Sequence, residues 1–162
     1  MVEDWERDKS LLNPYINVKN DLIEAQVRTQ LIDDEKSAAA SGNAHPHETT
    51  PSRFIILALM LEESQRCVKL DLANRFLAKD SQRVTLQQWR MVLQHQIERL
   101  HSIQSVYMVG IESWLAEVVN ESLEEPEDIN LWFPSSLSRI CRTEMCRNDI
   151  TDIEAKLRES QC

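Results

Sequence analysis

Apolar residues recur along most of this chain at intervals of three and four, the spacing that gathers them on one face of a helix. The longest series is Phe54, Leu57, Leu61, Val68, Leu72 and Phe76, with Ile55, Ile56, Leu59 and Met60 widening it at the start. That end of the helix must be buried on several sides. Thr50-Pro51 supplies an N-cap followed by proline at the first helical position, so a helix is expected over 51–79. A second series places Leu86, Trp89, Leu93, Ile97, Leu100 and Gln104 on one side, with Tyr107 continuing the line. Gln87, Arg90, Gln94, Glu98 and His101 lie on the other, which predicts an amphipathic helix over 85–109. Gly110 marks a kink or break. Beyond it Ile111, Trp114, Leu115 and Val118 predict a helix over 111–123.

The flanks are less regular. Ile23, Val27 and Leu31 form a thin stripe on a helix expected over 20–40, with Asn20 as its cap and Asp21 and Glu24 at the positive end of its dipole. Residues 1–19 read as an irregular entry segment anchored by Trp5 and the Asn13-Pro14-Tyr15 turn. Gly42, Asn43 and Pro46 break the chain between 41 and 49. Glu124 to Pro134 reads as an extended connector whose apolar content is Leu131-Trp132-Phe133. A last helix is expected over 135–160, with Leu137, Ile140, Cys141, Cys146, Ile150, Ile153 and Leu157 on its stripe. No C-cap glycine or terminal proline closes it before Cys162, so it reads as cut rather than finished. The stretch from Lys79 to Val84 is short, and short connections favour antiparallel neighbours. Trp89 and Leu93 should then meet Val68, Leu72 and Phe76, while Ile103 and Tyr107 approach Phe54 and Leu57. The expectation is an all-α, irregular helical bundle over 20–162 with an antiparallel helix pair at its centre.

Composition supports helices: the 162 residues include only two glycines, too few for the turns of a sheet protein this size. The formal net charge of −9 disfavours binding of the chain alone to a phosphate backbone. Glu121, Glu124, Glu125, Glu127 and Asp128 form an acidic cluster, and Arg139, Arg142 and Arg147 a small basic patch that is the candidate interaction surface. The simpler reading of both is a solvated face. Residues 1–10 lack the apolar core of a signal peptide. The longest apolar run, Phe54 to Leu61, falls well short of the roughly 20 residues needed to span a bilayer. An intracellular chain with reduced cysteines is expected, with no membrane contact and no basic run to choose between nucleus and cytoplasm.

Candidate chemistry is sparse. His45 and His47 flank Pro46, but structural zinc usually takes two close ligand pairs, and Cys141 and Cys146 are explained by the apolar stripe on which they lie. His95 and His101 face different sides of one helix. Adjacent pairs such as Asp33-Asp34 and Glu62-Glu63 point about 100° apart on a helix, so neither builds a shared acid–base or metal site. No nucleophile elbow, P-loop or dinucleotide fingerprint occurs. Trp5, Trp89, Trp114 and Trp132 could stack on bases, but that needs a basic groove. Burial suits Trp89 and Trp114 better, and Trp5 and Trp132 could pin irregular segments to the bundle. Catalytic, cofactor-binding and metal-ligating residues are therefore expected to be absent.

Several blocks, taken in order, carry a family likeness. They are Trp5-Glu6-x-Asp8, Asn13-Pro14-Tyr15, Glu24-Ala25-Gln26-Val27-Arg28 and the stretch from Leu31 to Glu35. His47-Glu48-Thr49-Thr50-Pro51-Ser52, Phe54, Leu59 and Leu61-Glu62-Glu63-x-Gln65-Arg66 follow. Then come Trp89-Arg90, Tyr107-Met108-x-Gly110, Leu131-Trp132-Phe133-Pro134-Ser135-Ser136-Leu137 and Ile153-Glu154-x-x-Leu157-Arg158-x-x-Gln161. Together they make the chain resemble the region downstream of the catalytic core in Kyakuja–Dileera–Zisupton (KDZ) transposases. Val109 stands where that family often has proline, and Cys162 falls where it usually continues. The resemblance implies that the family's metal-binding acids lie outside this chain. It also implies a non-catalytic accessory region or remnant, whose partner is its own catalytic region or another subunit. An independent helical protein-interaction module is the alternative, and a small enzyme with an unfamiliar site is a third class.

Overall fold

The computed structural model describes residues 18–43, 46–74, 80–118, 124–147 and 149–161. Within them the chain is all-α: α1 (Val18–Ala40), α2 (Pro51–Asn74), α3 (Asp80–Tyr107), α4 (Ile111–Val118), a 3₁₀ turn (Pro134–Ser136), α5 (Arg139–Met145) and α6 (Ile150–Gln161). Trp5, the Asn13–Tyr15 turn, His45, Phe76, Glu121 and Cys162, like the ends expected at 79 and 123, lie outside the described residues.

α2 and α3 form the expected antiparallel pair. At one end the Phe54 and Tyr107 rings stack with centroids 5.6 Å apart. At the other, Val68 and Cys67 of α2 line a cleft with Trp89 and Leu93 of α3. α6 packs on α2, α1 packs on α6, and the 3₁₀ turn packs on α6. The core runs through these contacts: Phe54, Ile55, Leu61 and Val68 of α2, Leu93, Ile97, Leu100 and Ile103 of α3, and Ile150 and Leu157 of α6.

Helix ends follow local chemistry. The Phe54 N–H bonds the Thr50 carbonyl at 2.9 Å, with Pro51 at the first helical position where its missing donor costs nothing. α1 ends with Gly42 at φ +92°, the Asn43 N–H on the Ala38 carbonyl and the Gly42 N–H on the Ala39 carbonyl, each at 3.1 Å. This is a Schellman close, which favours glycine because the left-handed region clashes with a Cβ. Gly110 likewise has φ +81° and separates α3 from α4.

Several expected boundaries shift. Asn20 lies inside α1 rather than capping it. α3 begins at Asp80, five residues before Thr85, because Ser81, Gln82 and Arg83 extend a helix without contributing to an apolar stripe. The single helix expected over 135–160 is divided. Ser138 caps α5, its Oγ accepting from the Cys141 N–H at 3.3 Å. Cys146 is extended and Asp149 left-handed at φ 56°. The apolar spacing continues across the break, which hid it; Asp is one of the few side chains that tolerates the left-handed region. Cys146 instead forms an isolated antiparallel bridge with Met108, flanked by Val109 N–H to Met145 carbonyl and Arg147 N–H to Tyr107 carbonyl, both 2.9 Å.

Four residues assigned to apolar faces are also misplaced by periodicity: Ile23 is 47%, Met60 57%, Trp89 43% and Ile140 71% exposed. On the side of α3 expected to face solvent, Arg90, Gln94 and His101 are half-buried, and Arg90 is covered by Glu127 of the connector.

Candidate functional site: polar joints around the connector

The connector 124–133 has no regular structure to satisfy its backbone, and side chains from α2 and α3 do so instead. Gln65 Nε2 donates to the Pro126 carbonyl at 2.9 Å and the Ile129 carbonyl at 2.7 Å. Gln104 Nε2 donates to the Leu131 carbonyl at 3.1 Å and the Trp132 carbonyl at 2.8 Å. Both glutamines are buried. Arg90 Nε donates to Glu127 at 3.1 and 3.2 Å, and Arg90 Nη1 lies 3.4 Å from Glu125. Glu127 is only 3% exposed, so it is not part of a solvated acidic face as its surroundings in sequence suggest. Its hydrogen bond holds the Arg90 guanidinium above its ordinary pKa against the opposing effect of burial. Trp132, at φ 50°, meets Trp114 edge to face at 5.1 Å, pinning the connector as expected.

A second kind of joint appears twice. After Pro51, the Ser52 N–H and hydroxyl each donate to Glu35 of α1 at 2.7 Å. After Pro134, the Ser135 N–H and hydroxyl donate to Glu154 of α6 at 2.9 and 2.6 Å. In both, a carboxylate from a distant helix satisfies the free donors at the start of a helical turn, where the backbone's positive end favours it. Arg158 extends the second joint. Its Nε donates to Glu154 at 2.8 Å, its Nη1 to Glu62 at 3.0 Å, and its guanidinium lies 4.5 Å over the Phe133 ring. Burial works against the charge on Arg158, but the bonds to Glu62 and Glu154 outweigh it and raise its pKa. The Tyr107 hydroxyl donates to the Thr49 carbonyl, closing the α2–α3 pair at the same end.

The basic patch divides. Arg142 donates to the Pro134, Ser135 and Leu137 carbonyls at 3.0, 3.3 and 3.1 Å, which fixes it to the 3₁₀ turn. Arg139 and Arg147 are exposed. The remaining candidates do not converge: among the described residues, no group of three His, Cys, Asp or Glu side chains could hold a metal ion. Burial pushes the Cys146 thiol up, away from the thiolate that a nucleophile needs. Cys67 is exposed, and partial desolvation by its neighbours, with its hydrogen bond to Glu63, raises its thiol pKa.

Sequence reasoning assigned no role to Glu35, Gln65 or Glu154. The signal was present, since each lies four residues after a buried aliphatic (Leu31, Leu61 and Ile150), as Gln104 does after Leu100. A polar side chain in register with an apolar stripe is one that the core must satisfy. The chain matches no protein-family model, no curated protein and no solved structure.

Proposed function

We propose that this chain is a non-catalytic helical accessory region, or remnant, of a KDZ-like transposase, serving to pack against the catalytic region or another subunit. One observation carries the reading. The residues on which the resemblance rests include most of those that make the polar joints, namely Glu35, Ser52, Glu62, Gln65, Arg90, Tyr107, Trp132, Ser135, Glu154 and Arg158, while Gln104, Glu127 and Arg142 lie outside its blocks. Joints of this kind define a framework, because a buried polar group without its partner is costly. A likeness spread over framework positions is what a shared fold leaves in a sequence. Two-metal strand transfer, in contrast, needs carboxylates converging on one point. Here Glu35, Glu127 and Glu154 each act in a separate joint.

The partner in this reading is protein. The net charge of −9 opposes phosphate binding by the chain alone, and within the basic patch Arg139 and Arg147 are exposed to a DNA end or to a partner's carboxylate. Among the described residues no helix is long and apolar enough to cross a membrane. The alternative, an independent helical interaction module, keeps the same surfaces and drops the catalytic partner. The transcript decides between them: an in-frame upstream catalytic region supports the accessory reading, and its absence supports the module. Magnesium- or manganese-dependent DNA cleavage that follows the purified chain, and is lost on mutation within it, would overturn both.

A further inference from the structure

The apolar stripe of α1 leaves the core before it ends. Leu31 is buried and Val27 half-buried, but Ile23 is exposed. α1 and α6 pack antiparallel, since Gln161 at the end of α6 donates to Glu24 near the start of α1 at 3.4 Å. Between them runs a cleft of about 380 Å³ whose apolar lining comes from Ile23, Val27 and Leu31. Asp34, Glu159 and Lys156, all exposed, supply its charge. Beside Asp34, Asp33 lies 3.7 Å from Lys36, and beside Glu159, Arg158 is bonded to Glu62 and Glu154. Neither Asp34 nor Glu159 is held in an ion pair among the described residues.

Charge selects what can fill this groove. A second copy carries −9 and meets like charge. The chain's own residues 1–17 hold Glu3, Asp4, Glu6 and Asp8 against Arg7 and Lys9, so they are acidic too. A phosphate backbone is repelled in the same way. We propose that the α1–α6 groove is the docking site for a basic amphipathic helix of a partner protein. The apolar ridge of that helix fills the cleft over Ile23 and Val27, and its Lys or Arg residues face Asp34 and Glu159. Lys156 offsets one of the two carboxylates locally, and the remaining charge of the chain draws a cationic partner in from a distance. Ile23 to Asp34 spans about 16 Å of helix at 1.5 Å per residue, which about three turns of a partner helix match. The inference rests on the reading of the chain as a protein-packing module, whose partner chemistry it names, and does not need the transposase likeness.

The test is a titration of the full chain against a fluorescent peptide of about 14 residues, with Leu at helical spacings of three and four and Lys elsewhere, read by anisotropy. The expected result is saturable binding of one peptide per chain at about 0.15 M salt, where diffuse attraction is screened. Ile23→Ser removes an exposed apolar anchor and Asp34→Lys reverses an exposed charge. Each should weaken binding about tenfold, with circular dichroism unchanged. Glu117→Lys makes the same change of charge on α4 and should leave binding within about twofold. A peptide of the same composition in scrambled order, and one with Glu in place of Lys, should bind at least about tenfold more weakly. No binding to the full chain overturns the proposal. So does equal binding of the scrambled peptide, indifference to Ile23→Ser, or an equal loss in Glu117→Lys and Asp34→Lys. A chain of doubled mass that returns to 18.9 kDa in Ile23→Ser puts a second copy in the groove and overturns it as well. These failures leave the accessory reading standing, because the transcript and the cleavage assay decide that.

Discussion

Gln104 places its amide nitrogen between two carbonyls of the connector while its own surroundings are closed to water at 2% exposure. Truncating it leaves the Leu131 and Trp132 carbonyls without that donor and opens a void. Gln104→Ala should therefore cost about 1–3 kcal/mol in urea unfolding, the penalty for unsatisfied buried groups. Gln94, ten residues earlier, bonds Glu98 within its own helix at 3.0 Å. Gln94→Ala should stay within about 0.5 kcal/mol. Equal losses would show that the connector does not need the Gln104 amide. His101 makes a different demand. Burial holds its pKa below the ordinary 6.5, more strongly than Glu98 raises it. Its Nε2 finds no hydrogen-bond partner among the described residues. The unfolded imidazole therefore takes its proton first as pH falls. The associated stability is complete above about 6.5, and is lost as pH drops towards the lower folded value. Urea midpoints measured at about pH 7.5 and 5.5 should fall less in His101→Gln than in the wild-type chain. An identical fall in both would remove His101 from the account.

At the scale of elements, the two proline–serine joints carry the most information. The carboxylate of Glu154 receives two bonds from Ser135 and one from Arg158, and it is 1% exposed. Glu154→Ala strips the 3₁₀ turn of its acceptor and leaves Arg158 facing only Glu62, so a loss of about 3 kcal/mol is expected. Ser135→Ala removes one hydroxyl bond at an exposed residue and should cost about 1 kcal/mol. Reversal of that order in denaturant titrations would refute the joint as described. How much of this was legible in the sequence depends on range. The α2 and α3 stripes and the Thr50-Pro51 start were readable because periodicity and capping act within a few residues. The antiparallel pairing followed from the short connection between those helices. The break at 146–149 was not readable, because Cys146 and Ile150 keep the helical spacing across it. Nor was Glu127, whose acidic neighbours in sequence concealed a buried partner for Arg90 from 37 positions upstream. What decided these cases is contact between distant segments, which local pattern does not encode.

For the whole molecule, two electrostatic tendencies oppose each other. The net charge of −9 favours expansion, because like charges separate when the chain unfolds. Arg158 with Glu154 and Glu62, and Arg90 with Glu127, favour the folded state, and each set includes a buried carboxylate. Salt separates the two contributions by range. The screening length falls from roughly 30 Å at 0.01 M to roughly 8 Å at 0.15 M. Repulsion summed over the molecule acts at the longer distances and is largely removed by that change. The joints act at about 3 Å, each on a carboxylate shielded from solvent, and are screened less. Stability should therefore rise with sodium chloride over this range, with the urea midpoint moving upward while the slope of the transition stays the same. In Glu154→Ala the upward movement should persist, since the variant removes a joint and leaves most of the net charge. A midpoint that falls as salt is added would mean that short-range pairs dominate the electrostatics of the fold and that the acidic surface opposes it little.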